Sequence, residues 1–153
     1  MSQTPVIEQV QAMVVSLPRE TPYLGPLGPQ DRVTEQGYIL RHGNRAIYPS
    51  RDSSVLVRIT DSEGRVGWGE TYGIIAPLVT ARLIDEVMGP YLIGRDALDV
   101  TVLQEDLYDQ MRIRGHFGGY WTDAAAALDI GLWDLAGKRL GVPLVKLLGG
   151  QRQ

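Results

Sequence analysis

The stretch AAAALDIGLWDLAGKRLGVPLVKLLGG, residues 124–150, decides most of the fold. Its apolar side chains recur at helical spacing, which puts several of them on one face. The residues of this face are Ala125, Leu128, Leu132 and Leu135. Thr122 is the predicted N-cap, and Gly141 followed by Pro143 is typical of a helix end. The sequence therefore predicts a long helix with a continuous apolar face.

The end of the same stretch predicts a connection. The pair Gly149–Gly150 follows a short apolar turn, and such a pair ends one element and leads the backbone into the next. We therefore expect a domain over residues 1–150, with residues 151–153 as the start of a linker.

Two further helices precede this one. Pro77 suits a first helical position, and the helix that it begins is expected to end at Gly89-Pro90. Its predicted buried stripe consists of Val79, Leu83, Ile84 and Val87. Asp96 is the predicted N-cap of the next helix, with Asp99 three residues on as in a capping box.

The first half of the chain predicts strands. Residues 6–17 are rich in valine. Ser54–Thr60 alternates, and a turn at Gly64 leads into a return strand, so the two form an antiparallel hairpin. Gly67 and Gly69 lie on one face of the return strand, which indicates that another part of the chain approaches closely there.

Two segments between these strands predict irregular structure. Residues 18–35 hold four prolines and two glycines, a composition typical of a long loop that is functional or mobile. Residues 37–42 predict a short strand, and residues 43–52 predict a return to loop structure. Strands followed by helices give an α+β fold with a small antiparallel sheet of about three strands and three or more helices.

The composition excludes several classes of function. The 153 residues are 44% hydrophobic and 22% charged, with a net charge of −3, so no basic surface for nucleic acid or an anionic membrane is expected. Cysteine is absent, which excludes disulfides and thiolate metal sites. The N-terminus has no signal-peptide pattern, and no apolar run approaches the ~20 residues of a membrane span. These features favour a cytoplasmic protein.

The residues by themselves predict no catalytic set and no metal site. His42 and His116 lie far apart without acidic partners at ligand spacing. The loops instead gather cationic and hydroxyl donors, which suit an organic acid with hydroxyl groups because arginine offers a paired donor. The candidate substrate-binding residues are Arg19, Tyr23, His42, Tyr48 and Arg51, with Arg41 in the same segments. The alternative is that these are merely exposed loop residues.

Three segments carry a resemblance to a known family. They are SSVLVRITDSEGRVGWGETY, MGPYLIGRDALDV and the 124–150 stretch, in this order along the chain. Together they resemble the N-terminal capping domain of the mandelate racemase/muconate lactonizing enzyme group of the enolase superfamily. The resemblance implies that residues 18–35 and the segment around Tyr48 to Arg51 are loops that cap a substrate.

The resemblance also implies what this chain lacks. The family's complete enzymes add a (β/α) barrel, which carries lysine or histidine bases and three acidic ligands for Mg²⁺ and abstracts a proton α to a carboxylate. This sequence has no K-x-K pair and no barrel strands. We expect the chain alone to bind no catalytic Mg²⁺ and to be inactive until a barrel partner is supplied. Whether it is itself an enzyme is left open.

Several functions remain open at this point. The polar loops favour the capping part of an acid-sugar dehydratase or a mandelate-racemase-like enzyme acting on a small carboxylate. The alternatives are half of a muconate-cycloisomerase-type enzyme, and a stand-alone module for organic-acid binding or dimerisation. The first predicts that an apolar face of the last long helix is exposed for the barrel, and the module predicts a homo-oligomer.

Overall fold

A computed structural model describes residues 4–116 and 118–150, so the expected linker at 151–153 lies outside the described residues. The strands are β1 (Ile7–Pro18), β2 (Arg32–Val33), β3 (Tyr38–Leu40), β4 (Ile47–Pro49), β5 (Arg51–Asp61) and β6 (Val66–Tyr72). The helices are α1 (Pro77–Leu83), α2 (Gly89–Leu92), α3 (Val100–Arg112), α4 (Tyr120–Leu140) and α5 (Leu144–Leu147), with a π-helical turn at Ile84–Met88. The α+β class is confirmed, and the described residues form no closed barrel.

The main sheet is antiparallel with the strand order β1-β5-β6. The predicted hairpin is confirmed, with Val57 of β5 paired to Gly69 of β6 and to Ala12 of β1. Alternation places Val55, Val57 and Ile59 on the covered face, where all three are fully buried. This face and the helices enclose the core.

The two glycines of β6 let α4 lie directly on the sheet, as their spacing predicted. A Cβ on Gly67 would lie 2.6 Å from Cβ of Leu135, and a Cβ on Gly69 would lie 2.8 Å from the backbone nitrogen of Gly131. No side chain fits between strand and helix at these positions. The predicted apolar face of α4 is therefore used inside the domain, where Leu128, Leu132 and Leu135 are fully buried.

Side chains of the helices bind both edges of the main sheet. On β6, the backbone N–H of Trp68 donates to Asp134 at 2.8 Å, and Lys138 donates to the carbonyl of Val66 at 2.9 Å. Asp134 and Lys138 also pair with each other at 2.6 Å, at the i,i+4 spacing that brings two helical side chains together. On β1, the N–H of Ala12 donates to Asp85 at 2.9 Å. These bonds satisfy backbone groups that an open edge leaves unpaired.

The predicted helix end at Gly89-Pro90 is wrong. The chain continues through the π-helical turn into α2, because the N–H of Gly89 bonds the carbonyl of Ile84 five residues back. Proline then begins α2, where its missing N–H costs little. Ile84 of the predicted stripe is buried, while Val79 and Val87 are exposed. The wider turn shifts the next buried position after Ile84 from Val87 to Met88.

Two predicted helix caps are also wrong. The N-cap of α3 is Asp99, while the carboxylate of Asp96 accepts the N–H of Leu98 in the preceding turn. α4 begins at Tyr120 after Gly119, so Thr122 lies within the helix. The φ of 62° and ψ of −146° at Gly119 suit glycine, which lets the chain enter the helix earlier than a threonine cap would.

A second small antiparallel sheet, which the sequence did not predict, follows β1. Its strand order is β2-β3-β4, and Ile39 of β3 pairs with Tyr48 of β4. The interpretation of residues 43–52 as loop is therefore wrong, since they contain β4 and the start of β5. We call residues 19–50 the polar lobe, and the main sheet with the helices the body.

Candidate functional site

Four of the five candidate substrate-binding residues lie together where the polar lobe meets the main sheet. The guanidinium of Arg19 lies 3.6 Å from the ring centre of Tyr23, and the rings of Tyr23 and Tyr48 stack with centres 6.0 Å apart. Arg51 and Tyr23 both line a cleft of 260 Å³. We call Arg19, Tyr23, Tyr48 and Arg51 the arginine–tyrosine cluster.

The members of the cluster have different numbers of free donors. Arg19 is occupied, because it pairs with Asp52 and donates through Nε to the carbonyl of Thr21 at 2.9 Å. The hydroxyl of Tyr48 accepts a hydrogen bond from Asn44 at 2.9 Å. Arg19 and Tyr48 both contact the ring of Tyr23, which cation–π and stacking interactions stabilise.

Arg51 is anchored but keeps a donor for a ligand. Its Nε donates to the hydroxyl of Ser16 at 3.0 Å and its Nη2 to the carbonyl of Ser16 at 3.2 Å. Within residues 4–116 and 118–150, its Nη1 and the hydroxyl of Tyr23 make no hydrogen bond. A fork donor and a phenol at one cleft can bind a carboxylate or a polyhydroxylated chain.

The sequence did not predict which residues of the main sheet line this cleft. Leu17, Ser53, Tyr72 and Ile74 line it from strands β1, β5 and the end of β6. The side chain of Tyr72 is 75% exposed. The sequence places Tyr72 at the end of a predicted strand. It cannot show that this strand end lies beside a loop some fifty residues earlier in the chain.

His42 does not join the cluster. It lines a larger and separate cavity of 840 Å³ together with Arg32 and Arg45. The two cavities share no lining residue. The structure thus brings together four of the predicted residues and places His42 elsewhere on the polar lobe.

Arg41 is buried and serves the fold of the lobe. Its guanidinium donates to backbone carbonyls of the 23–26 segment and to the carboxylate of Asp31 at 2.7 Å. The backbone N–H groups of His42 and Gly28, together with Arg41, lower the pKa of Asp31 from 3.8 to about 2. Arg41 is therefore not available to a ligand.

A carboxylate also lies on the side of α4 that faces away from the sheet. Partial burial raises the pKa of Asp129, and the side chain of Trp133 partly offsets this effect. Ile130 on the same side is 45% exposed. The exposed part of α4 therefore carries both polar and apolar side chains.

The described residues include no group of three or more histidine, cysteine, aspartate or glutamate side chains that could hold a metal ion. The acidic residues are instead spread over ion pairs and strand edges. The part of the chain that the structure describes therefore does not fit a catalytic Mg²⁺ site.

None of the helices in residues 4–116 and 118–150 is long and apolar enough to cross a bilayer.

Comparison with known proteins identifies the class of molecule. The sequence matches the profile of the mandelate racemase / muconate lactonizing enzyme, N-terminal domain, over residues 47–149. D-galactonate dehydratase of Verminephrobacter eiseniae is 39% identical over 101 residues, which are 63% of this chain and 24% of the dehydratase.

Solved structures extend the likeness over almost the whole chain. A member of the enolase superfamily from Agrobacterium tumefaciens is 49% identical with a TM-score of 0.92, over 98% of this chain and 39% of that protein. A racemase from Streptomyces coelicolor A3(2) with bound magnesium is 28% identical with a TM-score of 0.74, over 95% of this chain and 36% of the racemase. The chain thus spans well under half the length of these relatives.

Proposed function

The chain belongs to the mandelate racemase/muconate lactonizing enzyme family, and from this premise we propose that it is the substrate-capping part of a Mg²⁺-dependent enzyme. The complete enzyme would abstract a proton α to the carboxylate of an acid sugar, with dehydration or racemisation as the outcome. The supporting observation is the arginine–tyrosine cluster, two of whose members line the cleft where the polar lobe meets the main sheet. The likeness to a D-galactonate dehydratase favours an acid sugar over other carboxylates.

In this proposal two residues of the cluster contact the substrate. The Nη1 of Arg51 and the hydroxyl of Tyr23 offer donors to the hydroxyl groups, or to a second carboxylate, at the end of the sugar away from the reacting carbon. Arg19 and Tyr48 act through Tyr23, whose ring they hold. Leu17 and Ile74 form an apolar wall of the same cleft, against which the carbon chain of a sugar could pack.

The chemistry itself would come from a barrel partner. The described residues do not fit a Mg²⁺ site, so we place the metal and the catalytic base on the barrel. The expectation that this chain alone binds no catalytic Mg²⁺ and turns over no substrate therefore stays part of the proposal. When bound by the barrel, the metal would stabilise the enediolate formed on proton loss.

We further propose that the barrel docks on the side of α4 that faces away from the sheet, and on α5. The apolar side chains exposed there are Ile130, Leu140, Val145 and Leu148. Apolar surface of this kind is stabilised when a partner covers it. This surface differs from the apolar face that the sequence pointed to, because that face is buried against the main sheet.

The test is a chimera. Residues 1–150 of this chain replace the corresponding N-terminal part of the Verminephrobacter eiseniae D-galactonate dehydratase, and dehydration of D-galactonate and other acid sugars is measured with Mg²⁺. We expect turnover by the chimera and none by the dehydratase barrel alone or by the 153-residue chain alone. A folded chimera inactive on every acid sugar would contradict the proposal.

A pair of variants of the chimera tests the cluster. Arg51→Met removes the free donor at the cleft, so KM should rise about tenfold, the effect of losing roughly 1.4 kcal/mol of binding. Arg82→Met is the matched control, because Arg82 is exposed on α1 and pairs only with Glu86 among the described residues. An equal rise in KM for both variants would show that Arg51 does not contact the substrate.

A further inference from the structure

Arg41 is the most buried arginine of the polar lobe. It follows β3, and only 7% of the residue is exposed. Arginine is rarely buried to this extent unless its charge and its donors are matched.

Arg41 binds four acceptors, all in one segment. Nη1 donates to the carbonyl of Pro26 at 2.9 Å and to Asp31 at 2.7 Å, while Nη2 donates to the carbonyls of Tyr23 and of Gly25, the latter at 2.5 Å. Its Nε is buried without a hydrogen-bond partner among the described residues. The planar guanidinium thus gathers residues 23–31 around one point.

The backbone of the segment takes an unfavourable path to reach this arrangement. Leu24 has a φ of 67° and Gly25 a φ of 85°. A left-handed leucine is rare, and its side chain is 68% exposed, so no burial of that side chain stabilises the conformation. The two left-handed residues lie between the carbonyls that Arg41 binds. The guanidinium favours this path, together with the turn bond from the N–H of Gly25 to the carbonyl of Pro22 at 3.0 Å.

Asp31 completes the arrangement from the other end of the segment. Its carboxylate accepts the N–H of Gly28 and the N–H of His42, both at 2.8 Å, besides the guanidinium of Arg41. The side chain of Asp31 is 10% exposed and that of Arg41 is 8% exposed. A charge-assisted pair with so little solvent contact resists opening.

We propose that Arg41 is a positioning residue that holds residues 23–31 in one closed conformation and so fixes Tyr23 in the arginine–tyrosine cluster. The loop that the sequence indicated as mobile is then preorganised, and its opening requires the release of Arg41 from all four acceptors at once. This inference concerns the loop itself and holds whether or not the proposed function is correct.

The experiment is amide hydrogen exchange on the 153-residue chain. Arg41→Lys keeps the charge but cannot reach four acceptors from one ammonium, and Arg41→Met removes the charge as well. We expect the amides of Gly25, Gly28 and Asp31 to exchange at least about tenfold faster in both variants. Val57 and Ile59 of β5 should exchange at the unchanged rate, because the body does not depend on these contacts.

Arg32→Met is the matched control, since Arg32 is exposed in the same lobe and makes no ion pair among the described residues. It should leave all of these rates unchanged. Loop amides that exchange within twofold of the parent in Arg41→Lys would overturn the proposal, even if Arg41→Met fails to fold. Equal acceleration of the loop and of β5 would also overturn it, because Arg41 would then stabilise the whole fold rather than the loop.

Discussion

The body and the polar lobe are held together in opposite ways. In the body, α4 lies on the main sheet with backbone against backbone at Gly67 and Gly69, and the core is made of buried apolar side chains. In the polar lobe, Ile39 is buried outside that core, and the buried Arg41 connects the loop to β3. Packing density stabilises the first region, and a small number of polar contacts organises the second.

The difference matches the division of labour that we propose. The family profile covers residues 47–149, which takes in most of the body and leaves most of the polar lobe outside. A body whose stability comes from packing can support lobes of different sequence, because the lobe contributes little to the core. Substrate contacts placed in the lobe can then change without loss of the fold.

The largest expected effect is in the body. In Gly69→Val, the new side chain would meet the backbone of α4 at Ala127 and Gly131, neither of which can move aside. We expect the free energy of unfolding, measured by urea denaturation, to fall by at least about 3 kcal/mol. Gly43→Ala in the lobe is the control, because no atom lies within 4 Å of the added Cβ, and a change within about 0.5 kcal/mol is expected. Similar losses of unfolding free energy in the two variants would refute the view that close packing stabilises the body and not the lobe.

A smaller effect is expected at the sheet edge. Asp134→Ala removes the acceptor of the Trp68 N–H and leaves Lys138 without its carboxylate partner. The expected loss is about 1–2 kcal/mol, since one charged hydrogen bond at a partly exposed site is removed. Urea denaturation measures it, and Asp123→Ala, in the first turn of the same helix, serves as the comparison. No loss in Asp134→Ala would mean that water replaces the edge bond without cost.

The polar lobe should lose one contribution to its stability in strong acid. The folded pKa of Asp31 lies near 2, below its ordinary value of 3.8, so its ionised form is favoured by the fold. Its contribution to stability is therefore present above about pH 4 and is lost as the pH falls through 2. NMR titration of the Asp31 carboxyl, with the amides of Gly28 and His42 as reporters, should give a midpoint near 2. A midpoint near 3.8 would mean that the loop contacts are not formed in solution.

The smallest effect is expected on the outer side of α4. Burial raises the pKa of Asp129, so its ionised form opposes folding above that pKa, and the opposition disappears as the pH falls through it. Asp129→Asn should therefore raise the urea midpoint slightly at pH 7 and leave it unchanged near pH 3. A lower midpoint at pH 7 would show that the carboxylate stabilises the fold, contrary to this account.

Much of the body could be predicted from the sequence. Period-two alternation predicted β5, the spacing of Gly67 and Gly69 predicted a close approach, and the apolar stripe predicted α4. Helix ends were less predictable. The start of α4 after Gly119 and the π-helical turn both depend on how these helices pack in the fold. Proline and aspartate signals therefore gave the wrong end at Pro90 and the wrong cap at Asp96.

The sequence predicted which residues belong to the candidate site from their chemical types. It predicted only in part which of them lie together in space. Arginine and tyrosine in the loops indicated acid binding, and four of the five residues do lie together, whereas His42 lines another cavity. Tyr72 and Ile74 could not be assigned, since their distance from Tyr23 depends on the sheet. Substrate binding by any of these residues stays a prediction.

The sequence by itself determined the α+β class and the apolar pattern of the body, because periodicity and turn chemistry act between near neighbours in the chain. Its quoted motifs carried the resemblance to the family. Only the tertiary structure decided which arginine holds the loop and which arginine lines the cleft beside Tyr23. Arg41 and Arg51 are the same residue type in similar local sequence, but Arg41 is enclosed by carbonyls ten or more positions away, while Arg51 is anchored on β1. Contacts at that separation depend on the folded path of the backbone, which no local pattern specifies.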